Sequence, residues 1–123
     1  MRKISINKKK IAHDSWRLDI SFCKWVIPRL KWLRKNKHGV PIDFIVDGDT
    51  KFLEQSSANY NKMLDEIIDG LEYYEKELDY DQAEHDKDPQ AWLQKEMDFE
   101  NDKRERVKHS LKLFAEYFDT LWD

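Results

Sequence analysis

A chain of 123 residues, 40% hydrophobic and 38% charged, is long enough for one domain with a single core. Its three glycines and three prolines are too few for the many turns of an all-β fold, and its one cysteine, Cys23, cannot form a disulfide within the chain. No stretch approaches the ~18 apolar residues that a membrane span requires, so we expect a soluble cytoplasmic protein without a membrane partner.

The net charge of −3 conceals a strong asymmetry along the chain. Residues 1–40 contain twelve lysines and arginines against two acidic residues, whereas residues 41–100 contain five against eighteen. Either the two segments face each other inside one fold, or each offers a charged surface to a partner. The first interpretation is favoured and the second stays open.

The first predicted helix follows a basic start. We interpret residues 1–12 as a flexible basic arm and residues 13–123 as a single helical domain. Helical periodicity begins near Asp14 or Ser15, either of which is a suitable N-cap, and continues to about Lys37, shortly before the stop signal Gly39.

On a helical wheel, the polar side of this first helix carries a row of cations. The row consists of Arg17, Lys24, Lys31 and Lys35. Pro28 falls on the same side, so we expect it to face solvent and to bend the helix over a core, because proline cannot donate to the helix ladder. The alternative is a true break at Pro28 that opens the Lys24 carbonyl to a ligand.

The remaining surface of the first helix is apolar enough to need cover on most of its circumference. Leu18, Trp25 and Trp32 form a stripe at seven-residue spacing beside the core positions, and we expect the tryptophans to turn inward. The first helix is therefore predicted to be the central element of the fold.

Two charges lie toward the apolar side of this helix, namely Asp19 and Arg29. A charge in that position needs a partner, since desolvating it alone costs several kcal/mol. We therefore assign both to structural ion pairs. The expected partner of Arg29 is an acid of the second helix, either Asp65, Glu66 or Asp69.

Residues 38–57 combine turn signals with a short apolar run, and we predict a loop because a lone strand would lack a partner. The second helix is predicted to start near Ser57 or Asn59. Its core stripe is Tyr60, Met63, Leu64, Ile67, Ile68, Leu71, Tyr74 and Leu78. Its other face is acidic. The candidate partner-binding surface on that face consists of Asp65, Asp69, Glu72 and Glu75.

The third helix follows an acidic loop at residues 79–88. Pro89 behind Asp88 is a typical helix opening. A core seam is predicted at Val107, Leu111, Phe114, Phe118 and Leu121. The charged segment 100–106 either separates two helices or is the poorly buried centre of one, and one helix is favoured. The predicted fold is an all-α bundle of three main helices with a kinked central first helix.

No motif indicates catalysis or metal binding. The four histidines, His13, His38, His85 and His109, do not have the spacing of zinc ligands. The acidic loop lacks the glycine and the terminal glutamate of a calcium loop. No phosphate-binding glycine loop or nucleophile motif is present, so we predict a non-enzymatic protein without a cofactor or metal.

The cationic row could bind phosphate groups. The acidic remainder of the chain would repel a long polyanion, so long nucleic acid is an improbable partner, whereas a short nucleotide remains an alternative. The acidic face of the second helix could conversely occupy a basic groove on another protein.

Several motifs together resemble a family of small uncharacterised proteins of tailed bacteriophages and prophages. These are W-x-L-D at 16–19, K-W-x-I-P-R-L-K at 24–31, H-G-x-P at 38–41, L-D-E-I-I at 64–68 and L-K-L-F-x-x-Y-F-x-x-L-W-D at 111–123. The resemblance covers nearly the whole chain and departs from the pattern in the lysine-rich start and in residues 79–106. It implies a phage setting in the cytoplasm of an infected bacterium, and no activity.

From these observations we expect a non-enzymatic phage accessory protein that binds and inhibits a host protein through charged surface, with a component of antiviral defence as one candidate target. One alternative is a protein that sequesters a small nucleotide on the cationic row. The other is a structural or assembly factor that associates with itself through its terminal aromatic seam. The sequence does not identify the partner.

Overall fold

The computed structural model describes residues 7–49 and 53–122, and these parts of the chain are helical and contain no strand. The α-helices are α1 (Lys8–Trp16), α2 (Leu18–Asn36), α3 (Glu54–Tyr74), α4 (Gln82–Lys87) and α5 (Pro89–Glu116). Short 3-10 turns at Ile42–Phe44 and Phe118–Thr120 precede α3 and follow α5. The all-α class is thus confirmed, with two short helices beside three long ones. None of the helices in these two ranges combines the length and the apolar character needed to cross a membrane.

Helix α1 begins inside the segment that was predicted to be a flexible arm. The Asn7 side chain caps it by accepting hydrogen bonds from the backbone N–H groups of Lys9 and Lys10 at 3.1 and 3.2 Å. Residues 8–12 are therefore helical, while residues 1–6 lie outside the described residues. The periodicity missed α1 because this helix buries no side chain and so carries no apolar stripe.

The first helical segment is interrupted at Arg17 and continues through Pro28. Arg17 has φ −131° and ψ 72°, which lie outside the helical region and separate α1 from α2. The Ser21 hydroxyl donates to the Asp14 carbonyl at 2.9 Å and so ties the two helices together. Pro28 is exposed, as predicted, and lies inside the continuous α2. The alternative of a break at Pro28 is therefore wrong.

Helix α3 is the central element of the core. Its residues Tyr60, Leu64, Ile67 and Leu71 have no exposed surface, and the helix contacts both α2 and α5. Helix α2 contributes one buried face, made of Cys23, Val26, Ile27, Leu30 and Leu33. The prediction that the first helix is central is wrong, because α2 is covered along one face only.

The stripe beside that face points into solvent. Leu18, Trp25 and Trp32 are 65%, 58% and 56% exposed, so the prediction of inward tryptophans is wrong. Seven-residue spacing places these side chains at the edge of the contact with α3, where the fold supplies too little cover to bury them. Large apolar side chains therefore remain available on the surface of α2.

Helix α3 starts at Glu54, earlier than the predicted Ser57 or Asn59. Its first turn is tied to the preceding loop through buried Ser56. The Asp49 carboxylate accepts from both the backbone N–H and the hydroxyl of Ser56 at 2.8 Å, and the Ser56 hydroxyl accepts from the Val46 N–H at 2.9 Å. The predicted loop is thus confirmed for residues 38–49, which contain only a 3-10 turn.

Helix α5 is one continuous helix, as favoured from the sequence. Asp88 caps it by accepting from the Ala91 N–H at 3.1 Å, with Pro89 in the first turn. Helix α4 lies within the segment predicted to be an acidic loop and packs against the start of α5. There Trp92 is buried, with its ring centroid 5.5 Å from that of Tyr80.

The C-terminal seam is only partly buried. Val107, Phe114 and Leu121 pack against the core, whereas Leu111 and Phe118 are 42% and 65% exposed, in contrast to the prediction. The regular spacing of these five residues places them on one side of a continuous helix. The helix instead ends at Glu116, and the chain turns away before Phe118.

The backbones of α3 and α5 approach closely at Gly70. A Cβ atom placed on Gly70 would lie 3.1 Å from the Arg106 carbonyl oxygen and would overlap with the buried Ser110 hydroxyl. That hydroxyl donates to the carbonyl of Glu66 at 3.2 Å. This crossing requires a residue without a side chain at position 70.

Candidate functional site

The acidic face of α3 is partly neutralised by α2. Arg34 donates two hydrogen bonds to the Asp65 carboxylate, at 2.5 and 3.0 Å, and the Lys31 ammonium lies 2.9 Å from Glu72. The basic and acidic segments therefore meet inside the fold at these two pairs. Of the predicted partner-binding residues, Asp69 is exposed and Glu75 is half-buried, with one carboxylate oxygen enclosed.

Arg29 does not meet an acid of α3, in contrast to the prediction. Its guanidinium donates to the Trp25 carbonyl at 2.7 Å and lies 4.3 Å above the Trp25 ring. Arg34 is the residue that reaches Asp65, because it points toward α3 whereas Arg29 lies one turn beyond Trp25 on the exposed stripe. Sequence position alone did not distinguish these two arginines.

Asp19 does form an ion pair, although near the surface. Its carboxylate accepts from the Arg17 guanidinium at 3.2 and 3.1 Å and from the Tyr74 hydroxyl at 2.5 Å. These hydrogen bonds stabilise the ionised form and hold the pKa of Asp19 well below its usual range. The pair also joins the junction of α1 and α2 to the end of α3.

We expect Asp19→Asn to lower the free energy of unfolding at neutral pH and to have little effect at strongly acidic pH. A depressed carboxyl pKa contributes stability above the unfolded value of about 3.9, and this contribution is lost as the pH falls through the folded pKa. Because the Asp19 side chain is 41% exposed, the loss at neutral pH should be ~1 kcal/mol or less. Urea unfolding at neutral and at strongly acidic pH measures the difference, with Asp119→Asn as an exposed control. An equal deficit at both pH values would contradict the assignment.

A cationic cleft lies at the junction of α1 and α2. It has a volume of about 580 Å³, and the charged residues in its wall are Lys10, Arg17, Lys24, Arg29 and one carboxylate, Asp14. Trp16 and Trp25 also line the cleft. The cleft thus combines positive charge with exposed aromatic rings.

An apolar groove lies between α2 and the C-terminal end of the chain. We call it the tryptophan groove, with a volume of about 440 Å³. Its aromatic lining is Trp25, Trp32, Phe114, Phe118 and Trp122. Trp122 and Phe118 are each 65% exposed, and Arg29 lies at the border with the cationic cleft. The groove presents a contiguous aromatic surface to solvent.

The structure divides the predicted cationic row between different environments. Arg17 and Lys24 line the cationic cleft, whereas Lys31 is paired with Glu72 and Lys35 is exposed outside the cleft. Sequence reasoning did not select Lys10, Trp16 or Trp122. Trp16 and Trp122 could have been found from their place in the motifs of the resemblance, whereas the position of Lys10 depends on α1, which was not predicted.

No arrangement for metal binding is present in residues 7–49 and 53–122, where no group of three or more His, Cys, Asp or Glu side chains could hold an ion. The Cys23 thiol is buried, and desolvation raises its pKa to about 11. This thiol is therefore in its protonated, weakly nucleophilic form at neutral pH. It has the environment of a core residue.

Residues 7–49 and 53–122 thus form an all-α fold in which the cationic cleft and the tryptophan groove share Trp25 and Arg29. Comparison with known proteins gives no match to a family model, to a curated protein or to a solved structure. The resemblance to small phage proteins therefore stays a prediction from the motifs, and the function is inferred from the surfaces themselves.

Proposed function

We propose that this chain is a non-enzymatic protein that binds another protein through the tryptophan groove. The observation that carries the proposal is the exposure of Trp25, Trp32, Phe118 and Trp122, each more than half exposed, around one groove. Exposed apolar surface of this kind is costly in water and typically marks an interaction site. Tryptophan is also among the residues that contribute most to binding energy at protein interfaces.

The groove is held by elements that are fixed by the core. Leu30 and Leu33 of α2 are buried beneath it, and the Tyr60 hydroxyl donates to the Thr120 carbonyl at 2.7 Å, which anchors the C-terminal turn. A site on packed elements loses little conformational freedom when it binds. The Arg29 guanidinium, stacked on Trp25, adds a polar group at the rim.

The proposed contact lies away from the acidic face of α3, where the sequence had predicted it. A partner that bound there would compete with the pairs Arg34–Asp65 and Lys31–Glu72, which already neutralise half of the predicted acidic surface. The phage setting follows from the motif resemblance, and the inhibition of a host protein follows by analogy with small, acidic, helical inhibitors. We retain them as the biological role proposed for the interaction.

The test is capture of a host protein from a bacterial lysate by matched surface variants. Trp32→Gln with Trp122→Gln removes two groove rings, whereas Trp16→Gln removes an exposed ring outside the groove and Asp69→Lys reverses the acidic face. We expect the groove variant to lose the partner while both controls keep it. Loss of the partner with Asp69→Lys and not with the groove variant would place the contact on the acidic face of α3. Inhibition is then measured on the captured protein by adding the purified chain.

A second copy of the chain is the other candidate occupant of the groove, because Phe118 and Trp122 at the terminal seam are exposed. Self-association would make the chain a structural or assembly factor. Sedimentation equilibrium of the wild type and the Trp32→Gln, Trp122→Gln variant distinguishes the two cases. A dimer that the variant abolishes supports self-association, and a monomer at high concentration removes it.

A further inference from the structure

We propose that the cationic cleft between α1 and α2 is a nucleotide site, next to the protein-binding groove with which it shares Trp25 and Arg29. The ligand would place its phosphates on Lys10, Arg17, Lys24 and Arg29 and its base against Trp16. This inference goes beyond protein binding. It rests on the charge, the aromatic lining and the shape of the cleft.

The positive charge of the cleft is poorly compensated. No ion pair within the described residues includes Lys24, and Arg29 donates to a backbone carbonyl, not to a carboxylate. The cleft contrasts with the C-terminal half of α2, where Lys31 and Arg34 are paired with acids of α3. An anion that enters the cleft would therefore meet cations still able to donate charge-assisted hydrogen bonds.

The two ion pairs at the cleft are weak competitors for such a ligand. Lys10 lies 3.5 Å from Asp14 with its side chain 74% exposed, and the Arg17 side chain, paired with Asp19, is 65% exposed. Exposed pairs of this kind contribute little net free energy. A phosphate carries more charge than a single carboxylate and can share both cations.

The aromatic lining favours a nucleotide over a simple anion. Trp16 is 85% exposed on α1, and the Arg29 guanidinium covers Trp25 on α2. Bases stack on tryptophan rings and on guanidinium planes, and this stacking tolerates any base. A site that needed only phosphate would gain nothing from the exposed Trp16 ring.

The size and the charge of the molecule favour a short ligand. A volume of about 580 Å³ lies within the range of sites that hold small organic ligands. Residues 41–100 carry a large excess of acids, which would repel an extended strand. The shared chemistry is a phosphate joined to a base, from either a free nucleotide or the end of a single strand.

Isothermal titration calorimetry tests the site with adenosine triphosphate, inorganic triphosphate, a short single-stranded oligothymidylate and a tetraglutamate peptide. Lys24→Glu changes the charge inside the cleft, and Lys35→Glu makes the same change on the same helix outside it. We expect Lys24→Glu to weaken nucleotide binding about tenfold or more, and Lys35→Glu to weaken it much less. Equal losses would mean general charge attraction and would overturn the proposal.

A second matched pair tests the role of the aromatic ring. Trp16→Leu is expected to weaken the binding of adenosine triphosphate and to leave inorganic triphosphate unchanged, while Trp32→Leu affects neither. Tighter binding of the oligothymidylate than of the nucleotide assigns the ligand to a strand end, and the reverse assigns it to a free nucleotide. The absence of nucleotide binding by the wild type, or equally tight binding of tetraglutamate, would overturn the proposal. Both tests are independent of the partner captured at the groove.

Discussion

Gly70→Ala is expected to lower the free energy of unfolding by about 2–3 kcal/mol. Alanine is the better helix former by ~1 kcal/mol, so local propensity alone predicts the opposite sign. The new Cβ would, however, lie 2.9 Å from the Ser110 Cβ and 3.1 Å from the Arg106 carbonyl oxygen. Rotation of the Ser110 hydroxyl does not remove these two contacts, so α3 and α5 must separate.

Urea unfolding of the wild type and of Gly70→Ala measures this effect. Gly39→Ala is the control, because nothing lies within 4 Å of a Cβ at that position. Ser110→Gly should recover part of the loss when it is combined with Gly70→Ala, since it removes the facing side chain. A Gly70→Ala protein as stable as the wild type would show that the helices do not cross as closely as described.

Leu64→Ala is expected to cost about 3–5 kcal/mol of unfolding free energy, the largest single effect predicted for the chain. Leu64 has no exposed surface and lies in the middle of α3, which contacts both long neighbouring helices. Truncation leaves a cavity that cannot be filled by one neighbour without moving away from the other. Chemical unfolding followed by far-UV circular dichroism measures the loss.

The matched control is Leu18→Ala, which removes the same atoms from α2. Leu18 is 65% exposed, so its replacement should change stability by less than about 0.5 kcal/mol. The sequence pattern places Leu18 in the stripe beside the core positions of a first helix that was predicted to be covered on most of its circumference. Comparable losses for the two variants would support that original interpretation against the structure.

Hydrophobic periodicity predicted the core residues most accurately where those residues are completely buried. The stripe from Tyr60 to Leu71 was correct because α3 is enclosed by two neighbours, and the start of α5 was correct because Asp88 and Pro89 act locally. Helices α1 and α4 have no buried residues and so gave no apolar signal. Local sequence signals also did not predict the interruption of the helix at Arg17.

The candidate sites were less predictable than the core, since they depend on how the helices are arranged. The wheel placed Trp25 and Trp32 near the apolar arc, but only the packing of α3 and the end of α5 decides how much of that arc is covered. The two arginines of α2 differ in the same way. Whether Arg29 or Arg34 meets Asp65 depends on the crossing of two helices, which residue spacing does not specify.

The exposure of four tryptophans, Trp16, Trp25, Trp32 and Trp122, has a spectroscopic consequence. We expect indole rings this exposed to emit close to indole in water, so denaturation should shift the emission spectrum little beyond the contribution of Trp92. A bound molecule that shields one of these rings from water should instead move the emission to shorter wavelengths. Intrinsic fluorescence of this chain would thus report occupancy of its surface more sensitively than loss of its structure.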